Sequence, residues 1–176
     1  GRMLGDPTEG ALLVAAAKRG GLPQGFPRVG EIPFSSERKM MSTTNLVRGQ
    51  KTLFTKGAPE LVLAKCTHAL RDGRPVRLDK AARKAILAAN HAFAGEALRV
   101  LGFAFRVGGE TEEDLTFLGL MGMIDPPRDA VAQDIALCRK AGIQVIMITG
   151  DHRETAVAVA REIGLYREGD QALTGE

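Results

Sequence analysis

The chain has 176 residues, of which 44% are hydrophobic and 26% are charged, values that are typical of a globular protein and argue against wholesale disorder. Its net charge is only +3, and seven Phe, one Tyr and no Trp leave no basic run with aromatic residues woven through it, which argues against a nucleic-acid-binding protein. The two cysteines, Cys66 and Cys138, lack zinc-site spacing and indicate reduced thiols rather than a disulfide framework.

The chain begins with a predicted helix and an antiparallel meander. Asp6 can cap the helix, Pro7 suits its first turn, and Glu9 completes a capping box, while Gly20-Gly21 ends it near residue 18. Polar turns then separate three segments that favour β-structure, and they predict antiparallel strands at residues 29–34, 40–47 and 51–56.

The next part of the chain combines helices with further strands. Residues 59–65 predict a short helix, and Asp72-Gly73 between two short segments is a hairpin signal. Asp79 can cap a longer helix that ends near residue 94. A strand at 98–106 and a Gly- and Glu-rich loop at 108–114, which we expect to be exposed, complete this part.

The pattern changes near residues 115–120, where we place a domain boundary. From there, apolar strands alternate with helices. The strands are predicted at residues 116–124 and 144–148, and the helices at residues 126–141 and 152–163. This order predicts a parallel pair of strands with a right-handed crossover. The predicted organisation is therefore an α+β domain over residues 1–116, with an antiparallel sheet flanked by helices, and a partial α/β segment over residues 117–176.

Polar groups follow both of the predicted parallel strands. Thr149-Gly150-Asp151 comes directly after the second strand, and Asp125 and Arg128 come after the first. The carboxyl ends of parallel strands are where open α/β sheets bind ligands. Asp125 and Asp151 also have a simpler interpretation, because each stands where an aspartate would cap the following helix.

General nucleotide and metal signatures are missing from the chain. It has no Gly-x-x-x-x-Gly-Lys-Ser/Thr, no Gly-x-Gly-x-x-Gly and no His-Glu-x-x-His, and its three histidines have no partner at ligand spacing. General motifs therefore give no indication of a metal site or of a particular nucleotide-binding fold.

Six short segments carry a family resemblance that covers nearly the whole chain. They are Gly-Asp-Pro-Thr-Glu, Phe-Ser-Ser-Glu-Arg-Lys, Lys-Gly-Ala-Pro-Glu, Leu-Arg-Val-Leu, Asp-Pro-Pro-Arg and Thr-Gly-Asp, at residues 5–9, 34–39, 56–60, 98–101, 125–128 and 149–151. In this order the chain resembles the large cytosolic loop of a P-type cation-transporting ATPase, most closely the calcium-pump branch and not the heavy-metal pumps. The resemblance implies an ATP-binding domain, truncated at its start, followed by part of a phosphorylation domain with a haloacid-dehalogenase-like (Rossmann-like) fold.

The resemblance also implies an ATP site formed by Glu9, Phe34, Lys39, Lys56, Gly57 and Arg99. Phe34 would stack on adenine and Glu9 would contact the adenine amino group. Arg99 would bind the ATP phosphates, and Gly57 would let the ligand approach the backbone. Each has a simpler alternative from the residues alone: a core position for Phe34, a capping box for Glu9, a solvated strand end for Lys56 and snorkelling for Arg99.

A second group is implied to surround an acyl-phosphate, and it comprises Asp125, Arg128, Thr149, Gly150 and Asp151. Thr149 would hold a phosphate oxygen, while Asp125 and Arg128 would link to the nucleotide. The chain contains no Asp-Lys-Thr-Gly-Thr, the segment whose aspartate is phosphorylated in this family. We therefore expect no catalytic nucleophile in the chain, which would bind ATP without forming the aspartyl-phosphate.

As part of such a pump, the chain would be a cytoplasmic loop of an integral membrane protein and itself soluble, since its longest apolar run near the start, residues 11–17, cannot span a bilayer. Its partners would be ATP with Mg²⁺, the actuator domain, the rest of the phosphorylation domain and the transmembrane helices. The open edge of a partial sheet is compatible with a monomer, a dimer or a domain swap. Two other interpretations stay open: a haloacid-dehalogenase-like phosphatase, although an Asp-x-Asp motif is missing, and a basic interaction or nucleic-acid-binding module.

Overall fold

The computed structural model describes residues 6–21, 24–96, 98–124, 127–128, 130–150 and 153–174. The chain forms two compact units, one from the residues up to Leu87 together with Val100–Met123, and the other from Ala88–Arg99 together with the residues from Ile124 onward. None of the helices in the described ranges is long and apolar enough to cross a membrane.

The first unit is built on a mixed sheet of seven strands. In chain order these are β1 (Arg28–Ser35), β2 (Met40–Val47), β3 (Gln50–Gly57), β4 (Cys66–Arg71), β5 (Arg74–Arg77), β6 (Arg99–Val107) and β7 (Leu115–Met123). Their spatial order is β1-β2-β3-β6-β7-β4-β5. Three helices accompany them: α1 (Pro7–Lys18), α2 (Pro59–Ala64) and α3 (Lys80–Gly95).

The predicted meander and the predicted hairpin are both confirmed. β1, β2 and β3 pair antiparallel in succession, and β3 extends the antiparallel arrangement to β6. β4 and β5 form the hairpin, and Asp72 and Gly73 at its turn have φ angles of 49° and 75°. Positive φ at both central residues is what a type I′ hairpin turn requires.

The predicted starts of α1 and α3 are also confirmed. The Asp6 carboxylate accepts a hydrogen bond from the backbone N–H of Thr8 at 2.7 Å, and the Asp79 carboxylate accepts one from the N–H of Ala82 at 2.7 Å. Each bond satisfies an N–H group that a helix cannot satisfy within its first turn. The first helix ends before Gly20, whose φ of 105° is accessible mainly to glycine.

The hydrophobic core of the first unit lies between the sheet and helices α2 and α3. Its most buried members are Leu53, Val62, Cys66 and Leu115. Arg83 on α3 donates hydrogen bonds to the carbonyl oxygens of Leu63 at 2.8 Å and Cys66 at 2.5 Å. The first bond satisfies a carbonyl at the carboxyl end of α2 and the second a carbonyl at the start of β4, and together they hold α3 against this part of the chain.

The largest difference from the sequence prediction concerns β7. It pairs in parallel as expected, but its partner is β4, with Cys66 opposite Leu115 and Ala69 opposite Phe117. In the described chain, residues 143–149 form neither helix nor strand, so the predicted parallel pairing with 144–148 is wrong. A continuous apolar run indicates a strand buried on both faces, but it does not indicate which strand lies beside it. The predicted boundary after residue 116 falls within β7.

The second unit contains the part of α3 from Ala88 onward, together with α4 (Val131–Lys140) and α5 (Arg153–Glu162). Helix α4 begins later than the predicted start at residue 126, which lies outside the described residues. Arg139 donates hydrogen bonds to the carbonyl oxygens of Gly164 and Leu165, both at 2.6 Å, and so ties α4 to the chain after α5. These elements by themselves do not show a haloacid-dehalogenase-like fold, which stays a prediction.

We predict that a thiol reagent at pH 8 labels Cys138 and leaves Cys66 unlabelled until the protein is denatured. Burial raises the pKa of the Cys66 thiol to about 12, against a smaller lowering by the Arg83 charge. Only the thiolate reacts, and Cys66 also donates its S–H to the carbonyl oxygen of Val62 at 3.1 Å. Peptide mass spectrometry measures the labelling, and Cys138→Ser is the control that should show no rapidly labelled thiol. Rapid labelling of Cys66 in the folded control would contradict the prediction.

Candidate functional site

Three strand ends meet at one end of the sheet in the first unit. Ser35 at the end of β1 lies opposite Met40 at the start of β2, and Met40 lies opposite Gly57 at the end of β3. Neighbouring strands in a sheet are about 4.8 Å apart. The register therefore gathers four residues that the sequence analysis assigned to one site: Phe34, Lys39, Lys56 and Gly57.

Phe34 presents an open aromatic ring at this end of the sheet. It is 60% exposed. It lies where the register between β1 and β2 is irregular, between Ile32 and Ser35, and such irregularities change the direction in which a side chain points. The interpretation of Phe34 as a core residue is therefore wrong. An exposed ring can stack against a planar ligand.

Lys56 forms an ion pair with Glu9 on α1. Its side chain is only 20% exposed, whereas that of Glu9 is 53% exposed. Lys56 shares a sheet face with Met41 and Phe103, which lie opposite it on the two neighbouring strands. The interpretation of Lys56 as a solvated lysine is therefore wrong. Because the carboxylate is largely in water, the pair contributes at most about 1 kcal/mol, and a ligand can compete for either partner.

The turn before β2 packs tightly against the end of β3. Lys39 has a φ of 49°, its N–H donates to the carbonyl oxygen of Ser35 at 2.8 Å, and its own carbonyl accepts from Ala58 N–H at 2.9 Å. A Cβ atom on Gly57 would lie 2.4 Å from that Lys39 oxygen and 2.5 Å from the Cβ of Met40. The contact of Gly57 with Lys39 and Met40 thus requires glycine at this position. The approach of a ligand to the Gly57 backbone stays a prediction.

Arg99 is the first residue of β6 and is exposed. Leu101, Phe103 and Phe105 follow it at alternate positions and are half-buried, so a charge does stand at the head of an apolar row. Phosphate binding and snorkelling both require an exposed guanidinium, and the role of Arg99 therefore stays a prediction.

The second predicted group lies in the second unit and is described only in part. Asp125 and Asp151 lie outside the described residues. Arg128, Thr149 and Gly150 are exposed, and the last two line an open cavity of about 1130 Å³ beside α5. The proximity of these residues to the two aspartates stays a prediction.

Three carboxylates of the loop before β7 each pair with a different cation. Ion pairs join Lys51 to Glu110, Lys65 to Glu113 and Arg38 to Glu112. Within the ranges that the structure describes, no three His, Cys, Asp or Glu side chains lie together as a metal site would need. These residues therefore offer no ligand set for Mg²⁺.

The sequence analysis missed Arg38 and Glu112 as residues of this region. Their side chains form an ion pair at 2.6 Å although the residues are 74 positions apart in the chain. Glu112 was expected in an exposed loop, yet its side chain is only 12% exposed. No local pattern links the two residues, and the only signal was the position of Arg38 within the segment 34–39.

Comparison with known proteins shows consistent similarities. The family described as "P-type ATPase, cytoplasmic domain N" matches residues 1–130. The chain is 46% identical to "Calcium-transporting ATPase 1" of Lactococcus lactis, covering 100% of the chain and 21% of that protein. It is 44% identical to "Calcium-transporting ATPase 1" of Bacillus cereus, covering 97% and 20%, and 40% identical to human "Calcium-transporting ATPase type 2C member 1", covering 99% and 19%. The chain thus spans about a fifth of the length of these relatives.

We predict that Gly57→Ala lowers the free energy of unfolding by about 1–3 kcal/mol, because the added methyl group overlaps the backbone of Lys39 and Met40. Urea unfolding followed by circular dichroism measures the change. Gly95→Ala is the matched control, since a Cβ atom there meets nothing within 4 Å at the end of α3. Equal unfolding midpoints for the two variants would show that the close packing at Gly57 is not restrictive.

Proposed function

The chain belongs to the P-type ATPase family, and on that premise we propose that its first unit binds ATP for a pump that transports a cation, with calcium as the ion. The observation that carries this proposal is the exposed Phe34 ring and the Lys56–Glu9 ion pair, which belong to strands β1 and β3 at the same end of the sheet. The names of the relatives, which are calcium-transporting ATPases, support the choice of ion.

Phe34 would bind the adenine base by stacking. A ring that is 60% exposed gains contact area when a base covers it, and base–aromatic stacking contributes about 1–3 kcal/mol. Stacking is tolerant of base identity, because every base has a π-face. The ring therefore supplies affinity, and the choice among bases has to come from polar groups next to it.

The Lys56–Glu9 pair would supply that choice. Adenine carries an amino donor beside a ring-nitrogen acceptor on one edge, whereas guanine carries two acceptors there. A carboxylate next to an ammonium offers the complementary acceptor and donor. With guanine, one acceptor would face the Glu9 carboxylate, so the pair would favour ATP over GTP.

Lys39 and Arg99 would bind the phosphates. Both residues are exposed: Lys39 lies just before β2 in the first unit, and Arg99 is the first residue of β6 and is grouped with the second unit. Arginine can form two parallel hydrogen bonds to a phosphate, while lysine acts as a compact point charge. Neither cation takes part in an ion pair recorded within the described chain.

In the complete pump, ATP hydrolysis would proceed through an aspartyl-phosphate and drive cation transport across the membrane. We propose that residues 1–116 form the nucleotide-binding domain and 117–176 part of a haloacid-dehalogenase-like phosphorylation domain. The actuator domain, the rest of the phosphorylation domain and transmembrane helices would complete it, with this chain as a cytoplasmic loop. Mg²⁺ would neutralise phosphate charge when it binds with ATP, and among the described residues no cluster of ligands for it is found.

Within the proposed phosphorylation domain, the residues near the acyl-phosphate would be Asp125, Arg128, Thr149, Gly150 and Asp151. The exposure of Arg128, Thr149 and Gly150 supports this assignment, since polar groups that meet a second domain only in a closed pump must first be accessible. These residues would then act across a domain interface, and the affinity of this chain for ATP would depend on them less than on Phe34 and Lys56.

We predict that the chain binds ATP with a Kd on the order of 1 mM or somewhat tighter, since base and phosphates are held by one open domain. Phe34→Ala should weaken binding by about 5- to 150-fold, the loss of a stacking contact of about 1–3 kcal/mol. Chemical-shift titration measures it. The matched control is Phe26→Ala, which removes another partly exposed ring, of 39% exposure. Phe26 lies near the opposite end of β2, where its backbone carbonyl accepts a hydrogen bond from the Asn45 side chain at 3.0 Å.

Equal affinity of Phe34→Ala and the unmodified chain would show that the adenine site is elsewhere. Titration with an oligonucleotide at two salt concentrations tests the nucleic-acid alternative, because only phosphate-backbone binding falls steeply with salt. GTP serves as the base control, and it should bind more weakly than ATP in the unmodified chain.

We predict that the chain neither hydrolyses ATP nor becomes phosphorylated, although it binds the nucleotide. Phosphoryl transfer requires a positioned nucleophile and metal, and the chain contains no Asp-Lys-Thr-Gly-Thr segment. Incubation with γ-labelled ATP and Mg²⁺ followed by an acid quench is the measurement. Acid-stable label on the chain, or phosphate release that is lost in Asp125→Asn or Asp151→Asn, would overturn this prediction.

A further inference from the structure

Arg38 makes three hydrogen bonds around the turn that follows Phe34. Its Nη1 donates to Oε2 of Glu112 at 2.6 Å, and its Nη2 donates to the carbonyl oxygen of Pro33. Its backbone N–H donates to Oγ of Ser35 at 3.2 Å. The guanidinium therefore connects the residue directly before Phe34 with a carboxylate from a distant loop.

Glu112 is in turn attached to the interior of the sheet. Its Oε1 accepts a hydrogen bond from Oγ of Ser42 at 2.7 Å. The same Ser42 Oγ lies 2.8 Å from Oγ1 of Thr55. An ionised carboxylate only accepts, so Ser42 uses its single proton on Glu112 and Thr55 must donate to Ser42. Ser42 is fully buried and Thr55 is 2% exposed, so the chain of hydrogen bonds ends in rigid strands β2 and β3.

The loop that carries Glu112 is held at several other points. Ion pairs join Glu110 to Lys51 and Glu113 to Lys65. Arg106 donates to Oγ1 of Thr111 at 3.1 Å and to the carbonyl oxygen of Glu113 at 2.9 Å. Glu112 therefore reaches Arg38 from a fixed position and not from a freely moving loop.

Phe34 needs such support because the strand ladder does not supply it. The register between β1 and β2 joins Ile32 to Ser42 and then Ser35 to Met40, so two residues, Pro33 and Phe34, stand against the single residue Met41 and the regular ladder is interrupted. Arg38 bonds the backbone at this interruption. The guanidinium thereby restricts the backbone from which the exposed Phe34 ring projects.

We propose that Arg38 and Glu112 are positioning residues that hold the Phe34 ring in the orientation in which it stacks on the base, without touching the nucleotide themselves. This inference rests on the proposed function of the first unit. A preordered ring loses less freedom when the base binds, and preorganisation of this kind raises affinity without adding a contact.

Glu112→Gln decides between positioning and direct binding. It keeps an oxygen that can accept from Ser42, but it removes the charge that holds the Arg38 guanidinium. If Arg38 only positions Phe34, the variant should weaken ATP and AMP by the same factor, about two- to tenfold, the range expected for ordering one side chain on binding. If Arg38 instead bound phosphate directly, release from Glu112 would tighten ATP relative to AMP, which would overturn the proposal.

Arg38→Ala should weaken both nucleotides by a similar factor, and the double variant Arg38→Ala/Glu112→Gln should be no weaker than either single variant, because the two residues act as one unit. Arg38→Lys should rescue only in part, since an ammonium lacks the planar fork that reaches Glu112 and Pro33 together. Amide hydrogen exchange without nucleotide provides a second readout, and it should speed up at Lys39, whose N–H bonds the Ser35 carbonyl.

Glu110→Gln is the matched control, because it removes an ion pair from the same loop without touching Arg38. It should leave ATP affinity and Lys39 exchange unchanged, because the exposed Glu110–Lys51 pair contributes little and the contacts of Glu113 with Lys65 and Arg106 still hold the loop. Equal effects of Glu110→Gln and Glu112→Gln, or multiplicative losses in the double variant, would overturn the inference. Failure of Phe34→Ala to weaken ATP would instead remove the proposed function, so the two failures are distinguishable. Should Arg38→Ala not fold, Glu112→Gln alone carries the test.

Discussion

The close contact between the start of β2 and the end of β3 is the constraint on which the candidate site depends. Gly57 lies so near Lys39 and Met40 that a single methyl group would overlap the backbone. The contact fixes where the turn from residue 35 to 39 ends, and that turn follows the aromatic ring of Phe34. A loosely packed strand end would leave the ring and the neighbouring lysines without a defined relation, since turns carry few restraints of their own.

Two ion pairs at this end of the sheet differ in their surroundings and therefore in what they can do. Glu9 is about half exposed, so its attraction to Lys56 is screened by water and either group can exchange its partner for a ligand. Glu112 is largely shielded and also accepts a hydrogen bond from buried Ser42, so its bond to Arg38 is costly to break. The first pair suits recognition of a ligand, and the second suits maintenance of shape.

Local chemistry explains which features could be predicted from the sequence. The caps at Asp6 and Asp79 and the turn at Asp72 depend on neighbours within three residues, and alternating segments with short turns predicted the meander. The partner of β7 and the bond between Arg38 and Glu112 depend on residues tens of positions apart, for which periodicity carries no information. Family resemblance named Phe34 and Lys56, but exposure and pairing were needed to exclude their simpler interpretations.

Residues 143–149 show why a strand pattern need not form a strand. The segment is apolar like a central strand of a parallel sheet, yet Ile146 and Ile148 are 73% and 92% exposed in the second unit. A strand needs at least one neighbour for its backbone N–H and C=O groups, and β7, the expected neighbour, has β6 on one side and β4 on the other. If residues 117–176 belong to a phosphorylation domain, as proposed, the missing neighbours would be strands from the rest of that domain. The apolar pattern would then describe the assembled sheet, which explains why the sequence pointed to a pairing that this chain does not form by itself.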